Sequence, residues 1–444
     1  MDYNSELFRD DRDTELFSLL LERRLLTREA AKKLVEERLP PFASLVHAIS
    51  LTIGDTNTGL TGSQIGRIFT LLRLDDPEPK MTKWKRLRTV LDRAQMERSG
   101  GVVLMFVCLA LGEAKYCSVG GLPQYQRWRA AINEALSASG YTVDAEGRLD
   151  VSKRPIAVRV PTIHDDPCGW NTLFDLWRQA NEDLLEATFD FSRCGRLDHN
   201  AVAFLGGLAR LVEHRHGAVV FDWQSLDPHV GLGLARNGFR AMFGDSTEAD
   251  PGLTIPYRED KTASDAAIMT YLKRQWLGRG WMNISDDLRD AVVSRVWEVY
   301  ANAFEHGGSP IGVFTCGEHY SGQGLLKLTV VDFGTGVPAN VRNFQDKPAL
   351  PAHMAMNWAF QPGHTTKVGS IGRGLGLDLL REFISLNKGC LEVFSHDGYA
   401  RIEESGETYE TRGNLFEGTI LNISLRCDDS YYCFTPEQPS SPLF

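Results

Sequence analysis

The chain has 444 residues, long enough for several domains with real cores. Hydrophobic residues make up 43% and charged residues 24%, the balance expected of a globular protein rather than a disordered or membrane-embedded one. The net charge of −10 argues against nucleic-acid binding over the whole surface, while leaving room for one basic module.

The eight cysteines are scattered, with no Cys-x-x-Cys spacing and no Cys/His grouping. Reduced thiols in a cytoplasm are expected, not a disulfide frame or a zinc site. The segment Met1-Asp2-Tyr3-Asn4-Ser5-Glu6 is polar and acidic and does not read as a signal peptide. The longest apolar run, Val102 to Leu111, is roughly half of what a bilayer requires, so it predicts a buried helix and no membrane contact.

In chain order, residues 1–153 read as a mostly helical domain. Leu16, Leu19 and Leu20, then Ala30 and Leu34, recur at helical spacing. Thr61 or Ser63 caps a helix that continues through Ile65 and Ile68. A basic stretch follows: Lys80, Lys83, Lys85, Arg86, Arg88, Arg93 and Arg98. Lys83/Arg86 and Lys85/Arg88 would stack charge on one helix face. Two readings stand here. One is a solvated helix face. The other is a phosphate-contacting helix of a helix-turn-helix-like effector or recognition module, with nucleic acid at Lys83, Lys85, Arg86 and Arg88.

A turn at Asp144-Ala145-Glu146-Gly147 and the prolines Pro155, Pro161 and Pro167 mark a domain junction. Residues 154–250 then alternate. A strand is predicted over Leu184–Phe191, a helix over Asn200–His214, a strand over Ala218–Trp223 and a helix over Val230–Phe243, a small α/β domain. Asp190-Phe191-Ser192, a short loop and a helix give this part a resemblance to STAS domains. Phosphorylated STAS domains carry a serine at the start of that helix. The matching positions here, Asp198-His199-Asn200, offer no hydroxyl.

Residues 251–428 carry the motifs with chemistry in them; 429–444 form a short tail with Pro436, Pro439 and Pro442 among serines. A helix is predicted over Ile284–His306. It puts Glu298 and Asn302 four apart, on one face. An Asn amide oxygen suits Mg²⁺, and a carboxylate one turn earlier suits proton abstraction. A strand over Leu325–Val331 delivers Asp332, followed by Gly334 and Gly336. A carboxylate there can accept from an exocyclic amine, and the glycines let a planar ring approach the backbone. A loop over Asn343–Ser370 leads to Gly372-Arg373-Gly374-Leu375-Gly376 at the start of a helix over Leu377–Leu386, a natural anion site. The polar loop before it, with Pro362, His364, Thr365, Thr366 and Lys367, reads as a lid over a triphosphate, and Lys367 and Arg373 are candidate phosphate contacts. Two more strands are predicted, Cys390–Phe394 and Thr419–Leu425, the latter opening on Gly418-Thr419.

These four segments, in this order and within about 120 residues, resemble the boxes of the GHKL ATPases: gyrase, heat-shock chaperone, histidine kinase and MutL types. The resemblance implies an α+β chain ending in an α/β sandwich of the Bergerat ATP-binding type, with ATP and Mg²⁺ as cofactors. It assigns Asn302 to the metal, Glu298 to general-base catalysis and Asp332 to adenine selection. It puts Gly372, Gly374 and Gly376 at the phosphates and Thr419 near the adenine end. His306, after Glu305, resembles the Asn-Ala-x-Glu-His pattern of serine kinases that act on anti-sigma antagonists; a packing or capping role is expected of it.

No paired long helices with a phospho-accepting histidine precede the motifs, since His47 lies in an unsuitable context, and the chain is too short beyond them for a gyrase-type transducer. The expectation is a cytoplasmic Mg-ATP hydrolase in bacterial regulation or phage defence, acting with a protein partner or as a homodimer. Two alternatives stand: a serine/threonine protein kinase, and a non-catalytic ATP-gated module that binds nucleic acid or protein.

Overall fold

The structure, a computed structural model, describes residues 11–36, 39–117, 121–247, 249–304, 308–361, 364 and 378–437. It is mixed helix and sheet, an α+β chain, and divides into two compact units, Met1–Arg154 and Pro155–Phe444. Among the described residues no helix is long and apolar enough to cross a membrane.

The first unit is helical apart from one hairpin. Its helices are α1 (Asp11–Glu22), α2 (Arg28–Glu36), α3 (Ala43–Thr52), α4 (Gly62–Leu71), α5 (Lys83–Glu97), α6 (Gly101–Cys117) and α7 (Gly121–Leu136); its strands are β1 (Tyr141–Val143) and β2 (Leu149–Val151). The apolar run Val102–Leu111 lies in α6 and is buried throughout, as a helix without a polar face must be. Helices α3, α4, α5 and α7 pack around it. Thr61 caps α4 in a reciprocal box: Gln64 N–H donates to Thr61 Oγ1 at 3.3 Å, and Thr61 N–H donates to Gln64 Oε1 at 2.8 Å. The Asp144–Gly147 turn, expected at a domain junction, instead closes the β1–β2 hairpin inside this unit. The division falls just beyond it, after Arg154.

The second unit opens with β3 (Arg154–Ile163), α8 (Pro167–Ala180), β4 (Leu185–Leu197), α9 (His199–His214) and β5 (Ala218–Asp222). The three strands form a sheet in the order β3-β4-β5, with β4 and β5 parallel. The helix expected over Val230–Phe243 is two, α10 (Pro228–Arg236) and α11 (Phe239–Met242), broken where Gly238 turns left-handed at φ 78°.

There follow β6 (Thr254–Asp260), α12 (Asp265–Tyr271), α13 (Asp286–Asn302), β7 (Val313–Tyr320), β8 (Leu325–Asp332), α14 (Val337–Gln345), α15 (Ala352–Ala359), α16 (Asp378–Asn387), β9 (Cys390–Glu403) and β10 (Gly406–Arg426). The expected loop over Asn343–Ser370 thus contains the end of α14 and all of α15. The last two strands run well past their predicted lengths, because they pair with each other as one long hairpin. The large sheet has the order β6-β7-β8-β10-β9 and is antiparallel throughout.

Strand alternation gives this sheet two apolar faces. On one, Val313, Leu326, Leu328, Val330, Leu421 and Ile423 meet Val292, Val293 and Val296 of α13, with residues of α12, α15 and α16. On the other, Phe314, Val331, Phe333, Phe394 and Ile420 meet Trp170 and Phe174 of α8 and Phe204 and Leu208 of α9. Helix α9 is buried from His199 through Ala209, because it lies between the small sheet and the large one. The central segment is therefore continuous with the core of the C-terminal part.

A polar cluster crosses that same layer. Asn422 Nδ2 donates to Asp165 Oδ1 at 2.9 Å, and Asn422 Oδ1 accepts from Thr329 Oγ1 at 2.7 Å. Lys327 Nζ donates to Asp165 Oδ2 at 2.7 Å. His199 Nε2 lies 3.3 Å from Asn422 Oδ1, which can only accept, so Nε2 carries the proton and Nδ1 accepts from Tyr320 at 3.1 Å. Burial lowers the pKa of His199, which favours this neutral form. Asn422→Ala strips several buried groups of their partner at once. It is expected to destabilise the unit by about 3 kcal/mol in urea unfolding, with little change in m-value.

Candidate functional site

Register brings the predicted segments together. Across four neighbouring strands, Val313, Asp332, Thr419 and Ser395 stand side by side; Asp332 is two residues from Val330 and Thr419 two from Leu421, so alternation puts them on the α13 face of the sheet. Asp332 ends β8 and is 4% exposed. Its Oδ1 accepts from Gly334 N–H at 2.9 Å. Burial pushes its pKa up, to about 7, against the lowering effect of hydrogen bonds from Gly334 and from the backbone and hydroxyl of Thr419. The two motifs of the sequence, Asp332-x-Gly-x-Gly and Gly418-Thr419, are one structural feature.

Two glycines make that approach feasible. Gly418 has φ 140°, and a Cβ there would stand 2.2 Å from the Asp332 carbonyl oxygen. Gly336, at φ 82°, precedes α14; a Cβ there would stand 3.0 Å from the Gly418 oxygen. Ser395 binds these pieces together. Its hydroxyl donates to Gly418 O at 3.0 Å, lies 2.8 Å from Thr419 Oγ1 and accepts from Val337 N–H at 2.7 Å. Sequence reasoning missed Ser395. The available signal was a hydroxyl at the end of the apolar run Val393-Phe394.

Glu298 and Asn302 lie on α13 as the periodicity predicts, away from the buried stripe Val292, Val293, Val296 and Tyr300. Tyr300 pins the helix to the sheet through its hydroxyl, 2.5 Å from Thr315 Oγ1. Glu298 is half-buried and does not stand alone: Arg295 Nη1 donates to its Oε1 at 2.5 Å. This partner also went unread in the sequence, although i,i+3 spacing announces it. Asn302 is the last residue of α13 and half-buried. Ser309 Oγ accepts from Phe333 N–H, next to Asp332, at 3.4 Å.

Of the remaining predicted positions, Lys367, Gly372, Arg373, Gly374 and Gly376 lie outside the described residues, as do Glu305 and His306. The structure brings together Asp332, Gly334, Gly336 and Thr419; Glu298 and Asn302 lie on α13, the helix whose buried stripe packs on that face of the sheet. Among the described residues no three His, Cys, Asp or Glu side chains gather as a metal site.

In the first unit, the basic stretch forms α5 but does not present all its charge. Arg86 is 5% exposed; its Nε donates to Asp76 Oδ2 at 3.1 Å and its Nη1 to Gly62 O at 2.8 Å. Arg88 pairs with Asp92 at 3.8 Å, and Lys83 Nζ donates to Thr56 O at 3.3 Å. Lys85 is exposed, its ammonium 5.3 Å from the Trp84 ring centre.

Comparison of the chain with known protein families, curated proteins and solved structures finds no match in any of the three.

The raised pKa of Asp332 has a consequence for stability. A carboxyl whose folded pKa lies above its unfolded one binds its proton more tightly when folded, so stability falls as pH rises from about 4 through 7. The slope from this group is at most about 1.4 kcal/mol per pH unit. Asp332→Asn keeps an acceptor for Gly334 N–H and cannot ionise. Its unfolding free energy is expected to lack this slope and to exceed that of the wild type increasingly towards pH 8, measured by denaturant titration at each pH.

Proposed function

We propose that residues 251–428 bind Mg-ATP in a GHKL-like pocket and that Glu298 makes the protein an ATP hydrolase. One observation carries this reading: a buried carboxyl, Asp332, hydrogen-bonded by Thr419 from the neighbouring strand β10, with Gly334, Gly336 and Gly418 around it. A carboxyl in apolar surroundings is unfavourable for folding unless its chemistry is used, and perturbed groups of this kind mark functional sites. The residues present fit the adenine end of a nucleotide. The ionised Asp332 carboxylate would accept from the exocyclic amine, and the glycines leave the backbone open to a flat ring.

The rest of the assignment follows the family resemblance. Asn302 would supply a carboxamide oxygen to Mg²⁺, which keeps waters and phosphate oxygens as its other ligands. The ion, when bound, would neutralise charge on the phosphates. Lys367, Arg373 and the glycines Gly372, Gly374 and Gly376 would receive the phosphate end. Glu298 would take a proton from the water that attacks the terminal phosphate as the bond to ADP breaks, and must first be released from Arg295. Turnover by such a site is slow and gated, which suits a regulatory or defence role in the cytoplasm. The STAS-like segment would then be part of the control apparatus and the helical unit the effector.

The second reading, a serine/threonine protein kinase, shares every residue and differs only in whether water or a protein hydroxyl gives its proton to Glu298. Incubation with γ-labelled ATP and cell extract separates them: label in inorganic phosphate supports the hydrolase, label on protein the kinase. The third, a non-catalytic ATP-gated module, requires that Glu298 be dispensable.

Calorimetric titration tests the pocket. The wild type is expected to bind Mg-ATP, and Asp332→Asn to bind it at least about tenfold more weakly. Wild-type affinity should climb as pH rises from 6 to 8, because the ionised carboxylate is the stronger acceptor for the amine and burial raises its pKa to about 7. Equal affinity in Asp332→Asn would remove the pocket assignment. Glu298→Gln is expected to keep binding while losing about 10²–10⁴-fold in turnover. Unchanged turnover in this variant would reject general-base catalysis by Glu298.

A further inference from the structure

The face of the large sheet opposite the candidate pocket is as highly organised as the pocket itself. Phe333 follows Asp332 directly, and alternation sends its side chain to that opposite face, where α9 lies. There the helix carries two successive glycines. A Cβ on Gly207 would stand 2.1 Å from Phe333 Cε2 and 2.8 Å from Phe314 Cδ2; one on Gly206 would stand 2.0 Å from the Tyr257 hydroxyl. Adjacent glycines weaken a helix by about 1 kcal/mol each relative to alanine, so their gain here is the close approach of helix to ring.

The second pocket segment is gripped in the same way. Phe416 stands two residues before Gly418, at the register shift in β10. Its ring lies 5.4 Å from Phe333 edge-on, 5.1 Å from Phe204, 5.5 Å from Phe174 in a stacked pair and 5.6 Å from Trp177 edge-on. Phe204 in turn lies 5.3 Å from Phe333. One ring cluster, rooted in α8 and α9, therefore holds the chain beside Asp332 and beside Thr419.

We propose that α8 and α9 are the rear wall of the pocket, and that Phe333 and Phe416 are positioning residues through which this wall sets the relative placement of Asp332 and Thr419; the inference rests on the nucleotide reading of those two residues. A close-packed interior transmits a displacement rather than absorbing it. Phe333 cannot shift without carrying the adjoining Asp332 backbone, and Phe416 stands in the same relation to Gly418 and Thr419. The central α/β segment is thereby built into nucleotide selection although α8 and α9 pack on the face of the sheet opposite the pocket.

The test is Gly207→Ala in the full chain, with Gly233→Ala on α10 as control, since a Cβ there meets nothing within 4 Å. Binding of Mg-ATP and Mg-GTP is measured beside thermal unfolding. Folded Gly207→Ala is expected to bind ATP about tenfold more weakly and to lose discrimination against GTP, while the control matches the wild type. If Gly207→Ala does not fold, Phe416→Leu replaces it as the test, with weakened ATP binding expected. Wild-type ATP binding with a folded Gly207→Ala, or Phe416→Leu in its place, that keeps affinity within about twofold and the same selectivity would overturn the inference and leave the pocket reading standing. Lost affinity with the ATP-over-GTP preference unchanged would also overturn it, since general loosening would then explain the loss. A wild type that binds neither nucleotide would instead defeat the pocket reading, and the inference with it.

Discussion

Antiparallel pairing of β8 with β10 sets Asp332 opposite Thr419, and the other features of the site follow from that register. Side chains along a strand alternate between faces, so a slip of one residue would send Asp332 into the aromatic layer and Phe333 towards α13. The apolar residues on both faces prevent the slip, because Val330 and Val331 each have their own packed core to fill. The pairing in turn requires glycine at 418, where a Cβ would collide with the Asp332 carbonyl. A buried carboxyl is held in place by a backbone that no ordinary side chain would permit.

The sheet is thus a partition between two different chemistries. On one side stand Asp332, Thr419 and Ser395, with α13 carrying Glu298 and Asn302 over the same face. On the other stand aromatic rings at one end and the Asp165–Asn422–His199 cluster at the other. The aromatic contacts are non-directional and set distance; the polar cluster is directional and sets rotation, since each partner has a defined donor or acceptor role. Together they seat α9 on the sheet in one way. An α/β segment held like this shares the core of the large sheet rather than sitting beside it as a spacer.

Much of this was legible in the amino-acid sequence where the signal is local. Four-residue spacing placed Glu298 and Asn302 on one helix face, the apolar run before Asp332 gave β8, and Val102–Leu111 gave the buried helix α6. Other features depend on residues far apart in the chain and leave no local trace. Ser395 looks like any strand serine until Gly418 and Val337 are brought to it. Strands β6 and β7 went unpredicted: Thr254–Asp260 is rich in charge, and Val313–Tyr320 carries glycine and histidine. Their partners in the sheet, not their composition, make them strands. Arg86 read as surface charge because nothing local reveals that Asp76 folds over it. The stacking of Phe174 on Phe416 joins two segments far apart in the chain.

The most direct test of the account is amide hydrogen exchange of the full chain with and without Mg-ATP. Bound nucleotide seated on Asp332 must protect the amides of residues 333–337 and 418–420 together, since the two segments form one wall of the site. Increased protection of both with ATP, and not with GTP, is the predicted result. Protection of neither segment, or equal protection by both nucleotides, would contradict the account.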